Sequence, residues 1–374
     1  MNENNPKVPK IRFPEFTDAW EQRKLDKVVD VRSGRDYKHL SDGNIPVYGT
    51  GGYMLSVNEA LSYSEDAIGI GRKGTIDKPY LLHSPFWTVD TLFYAIPRDN
   101  HDLSFIYLLF QKVDWKNKNE ATGVPSLSKV TINSIDVIAP VFDEQQKIGN
   151  FFSRLDALIT LHQRKLNSLQ NQKKSLLQKM FPKNGEAYPE LRFPEFTDAW
   201  EQRELGSLGK VSTGNTPPTA DKDNWTDDED GRVWITPTDI NCLEMSDSTR
   251  HLSEQGWNKA RTIPANSVLI TSIASIGKNA INTVPAAFNQ QINAIVPEKN
   301  DAYFILSVMI KDTARFASLA GQTATAIINK TIFEKFLISV PQFEEQQKIG
   351  NFFSRLDALI TLHQRELYNM IKSA

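Results

Sequence analysis

Apolar residues recur through the chain with two different periods. Positions 148, 152, 155, 159, 162, 166, 169, 173, 176 and 180 step by alternating fours and threes. They hold Ile148, Phe152, Leu155, Ile159, His162, Leu166, Leu169, Lys173, Leu176 and Met180, the seam of a coiled-coil helix. A second helix repeats the spacing at Ile349, Phe353, Leu356, Ile360, His363, Leu367 and Met370. Phe151, Leu158, Leu161 and Leu177 widen the first stripe beyond a two-helix seam, which leaves surface for another partner. Asp143 or Glu144 suits the helix N-terminus, and Phe181-Pro182 with Gly185 ends the helix. Elsewhere the apolar runs are short and stop at Gly or Pro, as strands do. The fold class expected is α+β.

Two segments recur almost verbatim. IRFPEFTDAWEQRKL at 11–25 returns as LRFPEFTDAWEQREL at 191–205, and the helical segment 142–166 returns at 343–367. Self-similarity of this kind fixes the architecture before any single residue does. The order read is a tail and first box at 1–25, a variable domain at 26–141 and a helix at 142–182. A linker with the second box follows at 183–205, then a second variable domain at 206–342 and a distal helix at 343–374. Three correspondences survive between the variable stretches. Val31-Arg32-Ser33-Gly34 answers Val211-Ser212-Thr213-Gly214, and Leu92 to Pro97 answers Ile292 to Pro297. Ile45 to Thr50 answers Val233 to Pro237 more loosely. Antiparallel packing of the two helices would set the variable domains apart. A helix from Glu144 to Met180 is a rod of roughly 55 Å, long enough to separate two DNA contacts by about one to one and a half turns.

Composition changes the picture in three ways. Apolar residues make up 40% of the 374 residues and charged residues 24%, and no apolar run is long enough for a membrane span. The opening MNENNPKVPK has no export signal, so the cytoplasm is the expected location. The single cysteine, Cys242, excludes an internal disulfide and a thiolate zinc site, and is expected to be buried filler. Net charge is −2, carried as 25 basic against 21 acidic residues in 1–183 and 18 against 24 in 184–374. A lone DNA binder would be more basic, so any grip on DNA is expected beside partners that supply charge.

No motif for chemistry is complete. Thr216-Pro217-Pro218-Thr219 lacks the stacking aromatic of an adenine methyltransferase. Ile276-Gly277-Lys278-Asn279 fails as a phosphate-binding loop at both ends. Gly69 to Thr75 reads as a turn with exposed basic residues, and the acidic run 227–230 as a solvated loop. The histidines 162 and 363 read as a polar pair in the seam, with Asp156 and Asp357 the only acids placed near them and no metal expected. Base readout calls for Arg, Lys, Asn and Gln, with hydroxyls on phosphates. Candidates in the first variable domain are Ser33, Gly34, Arg35, Tyr37, Lys38, Arg72, Lys73, Lys116, Lys118 and Lys129. Those in the second are Thr213, Asn215, Thr216, Lys222, Ser272, Lys278, Asn289, Gln290, Gln322, Asn329 and Lys330. Trp115 among Lys112, Lys116 and Lys118 is the cluster most like a nucleic-acid contact, and a half-buried tryptophan with polar neighbours explains it equally well.

The Arg-Phe-Pro-x-Phe-x-x-x-Trp boxes at 12–20 and 192–200, the Ser/Thr-Gly pairs, Trp234 to Ile240 and the Glu-Gln-Gln-Lys-Ile helices together carry a family pattern. The chain resembles the specificity (S) subunit of type I restriction-modification systems over essentially its whole length. The resemblance implies two target-recognition domains, each reading half of a split double-stranded DNA site, joined by antiparallel coiled-coil helices that set the spacer. It implies two modification (M) subunits that methylate adenine N6 with S-adenosylmethionine, and restriction (R) subunits that use ATP and Mg. The chain itself would bind no cofactor and catalyse nothing. The second helix lacks counterparts of Lys174 to Phe181, which leaves the spacer length open. Two other readings stay open: the recognition part of another multi-subunit or fused restriction enzyme, and a coiled-coil adaptor that never touches DNA.

Overall fold

The computed structural model describes residues 9–183, 185–228, 230–320 and 326–373. The chain divides into two compact units, one built on the residues up to Leu161 with those from Met370, the other on His162–Asn369.

In the first unit the end of the box is itself a strand. Glu21–Lys24 pairs antiparallel with Asp136–Ala139, Lys24 opposite Asp136. Between those strands a four-stranded antiparallel sheet runs in the order Val29–Ser33, Leu92–Pro97, Ala67–Gly71, Tyr80–Leu82. Period-two alternation explains its first strand: Val29 and Val31 are buried, while Asp30 and Arg32 face out and pair with each other at 2.7 Å. A three-stranded sheet sets Asp42–Gly49 between Gly52–Val57 and Trp87–Thr88. The helix Leu103–Lys112 starts at Asp102, whose side chain accepts from Phe105 N, and drives Phe105, Ile106 and Phe110 into the core.

The second unit repeats this frame. Glu201–Glu204 pairs with Leu337–Val340, and Gly209–Thr213 pairs with Ile292–Pro297 in the register of its counterpart, Gly209 opposite Pro297 as Val29 is opposite Pro97. The loosest of the three correspondences has a structural basis as well. Val47 and Tyr48 pair in parallel with Trp87 and Thr88, and Trp234 and Ile235 pair in parallel with Ala287 and Phe288. His251–Leu252 pairs antiparallel with Arg232–Ile235 as Gly52–Val57 does with Asp42–Gly49, and extra short strands at Trp225–Thr226, Glu244–Met245 and Thr262–Ile263 enlarge both sheets to five.

The near-identical segments have a common task. Arg12 donates two bonds of 2.7 Å to the buried carboxylate of Glu144 in the first turn of the helix Phe142–Lys179. Arg192 makes the same fork with Glu345 at 2.8 Å in the helix Phe343–Ser373. Glu144 therefore serves the box and not the helix cap. The next residue ties the helix to its own domain: Gln145 donates to Pro140 O at 2.8 Å and accepts from Asp102 N at 3.1 Å. Gln346 does likewise with Pro341 O and Asp301 N. A side chain at Gly149 or Gly350 would collide with the Asp102 or Asp301 carboxylate, so the helix comes this close only on glycine.

The seam departs from its sequence pattern at both ends. Ile148 packs on the core of the first unit, and Ile349, Phe353, Met180 and Phe181 join that of the second. Leu177 is buried where the spacing favoured Leu176, which is half-buried, and Leu356 is half-buried beside a buried Asp357. Within the second unit His162 stacks edge-on against His363, Lys173 reaches Asp357 at 2.6 Å, and Phe181 stacks on Phe353. Partner numbers fall as helix numbers rise. Asp357 also accepts from Tyr303 OH at 3.0 Å, and burial beside this carboxylate pushes the Tyr303 phenol well above its ordinary range. No helix among the described residues is long and apolar enough to cross a membrane.

Replacing Glu345 by Ala strands the Arg192 guanidinium, and urea denaturation of the full chain should show a loss of about 3–5 kcal/mol. Gln347→Ala, at an exposed position of the same helix, should stay within about 0.5 kcal/mol. A Cβ at Gly34 would overlap the carbonyls of Thr88 and Val89, whereas one at Gly51 meets nothing within 4 Å. Gly34→Ala should therefore cost about 1–3 kcal/mol in the same assay and Gly51→Ala far less.

Candidate nucleic-acid interface

A loop built the same way in both units carries the first group of candidates. Gly34 N bonds Leu92 O and Arg35 N bonds Thr88 O, while Trp87 Nε1 donates to Arg35 O at 2.9 Å. In the second unit Gly214 N bonds Ile292 O, Asn215 N bonds Phe288 O, and Trp234 Nε1 donates to Asn215 O at 3.2 Å. The tasks common to both loops fall to the glycine and to the tryptophan, and Gly34 is buried where a side chain has no room. Tyr37 packs half-buried against Val47, Val57, Trp87 and Val89, which leaves Arg35 and Lys38 as the exposed cations of this loop.

Next to it lies a corner where four of the candidates meet. Ser33, Arg72, Lys73 and Lys129 line one cavity of about 390 Å³ with Phe93, Ser126, Leu127 and Ser128. The backbone holds it open: Arg72 N bonds Thr91 O, Leu127 N bonds Arg72 O, and Lys73 bridges Ser126. Gly71 admits no side chain because Thr75 O lies against it, and Gly74 turns at φ 92°. Arg72 and Lys73 are thereby thrust outward, with the Arg72 guanidinium 5.8 Å over the Phe93 ring.

The same backbone bonds recur in the second unit with different side chains on them. Ser272 N bonds Gln291 O, Ile328 N bonds Ser272 O, and Ile273 bridges Ile327. By this match Ser272, Ile273 and Asn293 stand where Arg72, Lys73 and Phe93 stand in the first. The result is a closed polar knot: Thr213 Oγ1 donates to Asn293 Oδ1 at 2.5 Å, and Asn293 Nδ2 donates to Ser272 Oγ at 2.9 Å. Ser272 and Asn289 are buried, the latter donating to Gln291 Oε1, so neither presents an edge to a ligand.

Polar groups nearer the surface of the second unit sit elsewhere. Thr216 Oγ1 donates to Gln290 Oε1 at 2.6 Å, Lys278 reaches Pro237 O at 3.0 Å, and Lys222 is exposed. Asn215 is spent on its loop, donating to Lys259 O and accepting from Arg261 N. Asn329 caps the helix Lys330–Glu334 and Lys330 faces Glu334 at 3.4 Å. Gln322 and Glu229 of the acidic run lie outside the described residues.

Three expectations need correcting. Trp115 is 2% exposed and donates to Phe110 O at 2.7 Å, so the tryptophan is core, while Lys116 pairs with Asp77 at 3.0 Å and Lys118 stays exposed. Cys242 is exposed, not buried. The acid beside the two seam histidines is Glu366, because Asp357 is taken by Lys173 and Tyr303.

Sequence reasoning also passed over two arginines. Arg261 is exposed beside the Thr213 loop, its guanidinium donating to Thr213 O at 2.6 Å. Arg250 lies 3.7 Å over the Trp225 ring, itself edge-on to Trp234. Both are loop arginines, the type most used on guanine edges, and that was the available signal. The Thr-Pro-Thr-Asp motif has a local role. Burial alone would raise the Asp239 carboxyl, but bonds from the hydroxyls and amides of Thr236 and Thr249 hold it below the usual carboxylate range.

Comparison with known proteins agrees with this repeated plan. The family model described as the type I restriction modification DNA specificity domain matches twice, at residues 17–171 and 197–373. The chain is 31% identical over 180 residues to the Escherichia coli type I restriction enzyme EcoR124I/EcoR124II specificity subunit, covering 45% of this chain and 43% of that one. It is 30% identical to the Haemophilus influenzae HindI specificity subunit, covering 42% and 36%. The matched stretches thus span less than half the length of these curated relatives. A crystal structure of a type I restriction-modification S subunit from M. genitalium aligns with TM-score 0.63 at 15% identity, over 98% of this chain and 96% of that one. With two matches of the family model covering most of its length, this chain belongs to the type I restriction-modification DNA specificity family.

Proposed function

We propose that this chain is the address-reading subunit of a type I restriction-modification complex, with one variable domain, 26–141 or 206–342, on each half of a bipartite double-stranded DNA target. The observation that carries the reading is the corner built twice: the same backbone bonds hold Arg72, Lys73 and Phe93 in one unit and Ser272, Ile273 and Asn293 in the other. Equal frames with unequal side chains are what two different half-sites require, since phosphate contacts position a protein and base-edge contacts specify. In the first domain the exposed candidates at the loop and the corner are Arg35, Lys38, Arg72 and Lys73. In the second they include Gln290, Lys222, Lys278 and the added Arg261, with Thr216 half-buried beside Gln290.

On this reading the two long helices pair antiparallel as a coiled-coil spacer, and their outward apolar residues dock two modification subunits. Phe151, Leu158 and Leu161 on the first helix and Leu359 and Leu362 on the second are exposed, and exposed apolar side chains gathered on helices suit an interaction surface. The groove lined by Phe13, Phe151, Leu155 and Leu158, with Lys147 and Arg154 on its rim, is the docking point in the first unit. Modification subunits would bring S-adenosylmethionine for adenine N6, restriction subunits ATP and Mg. The chain would bind none of these, catalyse no step, and work in the cytoplasm. A net charge of −2 fits a reader that grips DNA only beside them.

With modification subunits present, Arg72→Ala and Lys73→Ala should each weaken binding to the cognate duplex and reduce its salt slope by about 1 for every phosphate no longer neutralised. Competition with duplexes altered in one half-site should show the weakening confined to a single half, and full affinity in both variants would refute the assignment. Phe151→Asp with Leu158→Asp should abolish co-purification with modification subunits while leaving the chain's urea midpoint unchanged. Inserting one heptad into both helices should lengthen the spacer preferred in methylation mapping. An unchanged spacer would remove the measuring role.

A further inference from the structure

Away from the recognition loops, three ligand-type side chains converge on the helix pair of the second unit. His162 comes from one long helix, and His363 with Glu366 from one face of the other, three positions apart. The Nδ1 atoms of His162 and His363 lie 3.5 and 3.3 Å from the same oxygen, Glu366 Oε2. The ring centroids are 5.5 Å apart, and a ring nitrogen of each histidine and a carboxylate oxygen of Glu366 all fall within 4.8 Å of one another.

Two features separate this trio from an ordinary polar seam position. Both Nδ1 atoms are shielded from solvent and neither makes a hydrogen bond, not even to the carboxylate they face. Buried polar atoms without partners are uncommon in folded chains, and one explanation of such an atom is an ion it was placed to hold. The spacing is the second feature. A tetrahedral ion with bonds of about 2.0–2.1 Å puts its ligand atoms roughly 3.3–3.4 Å apart, and two edges of the trio are close to that length.

We propose that His162 Nδ1, His363 Nδ1 and Glu366 Oε2 form a binding site for one divalent transition-metal ion of the zinc class. Two imidazoles and a carboxylate select zinc, copper or nickel over magnesium or calcium, and a water would complete the fourth position. The ion would join one helix to the other and pin their register at this level. Because it is held only when the helices are paired, it would stabilise the paired state by mass action. The site stands apart from the DNA reading and is tested without DNA.

The full chain, stripped with EDTA and dialysed, is titrated with ZnCl2 by calorimetry and with CoCl2 by visible absorption. We expect one Zn²⁺ per chain, four-coordinate cobalt bands, and a zinc-dependent rise in melting temperature. His162→Leu, His363→Leu and Glu366→Gln should each lower zinc affinity at least tenfold and abolish the cobalt bands, while His101→Ala and His251→Ala leave them intact. Leucine suits a seam position, so both leucine variants should keep the parent helicity and urea midpoint in EDTA. Should either unfold, Glu366→Gln, on a side chain 43% exposed, supplies the same reading on a folded chain. Absence of saturable binding at one equivalent, or binding that Glu366→Gln leaves unchanged, would overturn the site.

Discussion

A guanidinium gripping a buried carboxylate closes each copy of the repeat. Arg12 with Glu144, and Arg192 with Glu345, fasten the start of a long helix to a box well over a hundred residues earlier in the chain. Everything between is thereby held at both ends. Such a pair stabilises less than its short bonds suggest, because both charges give up water, but breaking it leaves one charge stranded. Its value lies in geometry: the fork admits one orientation, and the adjacent Gln145 and Gln346 lock the helix to its own domain through a separate set of bonds.

What the amino-acid sequence disclosed followed from how strongly each feature is encoded. The helices were legible because a four-three spacing sustained over many turns has few other meanings, and the boxes because verbatim repetition does not arise by chance. The strands Val29–Ser33 and Gly209–Thr213 were legible through one glycine apiece. The end of the box was not read as a strand, since Glu21 to Lys24 is wholly polar and its pairing with Asp136–Ala139 lies in distant chain. Trp115 misled for a related reason: flanking lysines describe the surface of a helix turn, while the indole between them turned into the core.

The candidate site was less legible than the fold. Ser272 and Asn289 have the chemistry of base readers, yet both are buried in hydrogen bonds that no local pattern announces. Arg261 was overlooked because its relevance comes from lying beside Thr213 in space and not in sequence. Burial of polar groups depends on partners supplied from far along the chain, and composition records only that the groups exist. The equivalence of the two corners likewise emerged only from backbone bonds, since Arg72, Lys73 and Phe93 share no chemistry with Ser272, Ile273 and Asn293.

The antiparallel pairing of Glu21–Lys24 with Asp136–Ala139 brings the way into the variable stretch beside the way out. Glu201–Glu204 and Leu337–Val340 do the same for the second copy. A segment whose two ends are neighbours behaves as a cassette: an exchange between these strands replaces the interior without altering the helix, the box or their clamp. Genetic recombination at the near-identical flanks would thus trade one variable stretch for another in a single event, on an unchanged chassis.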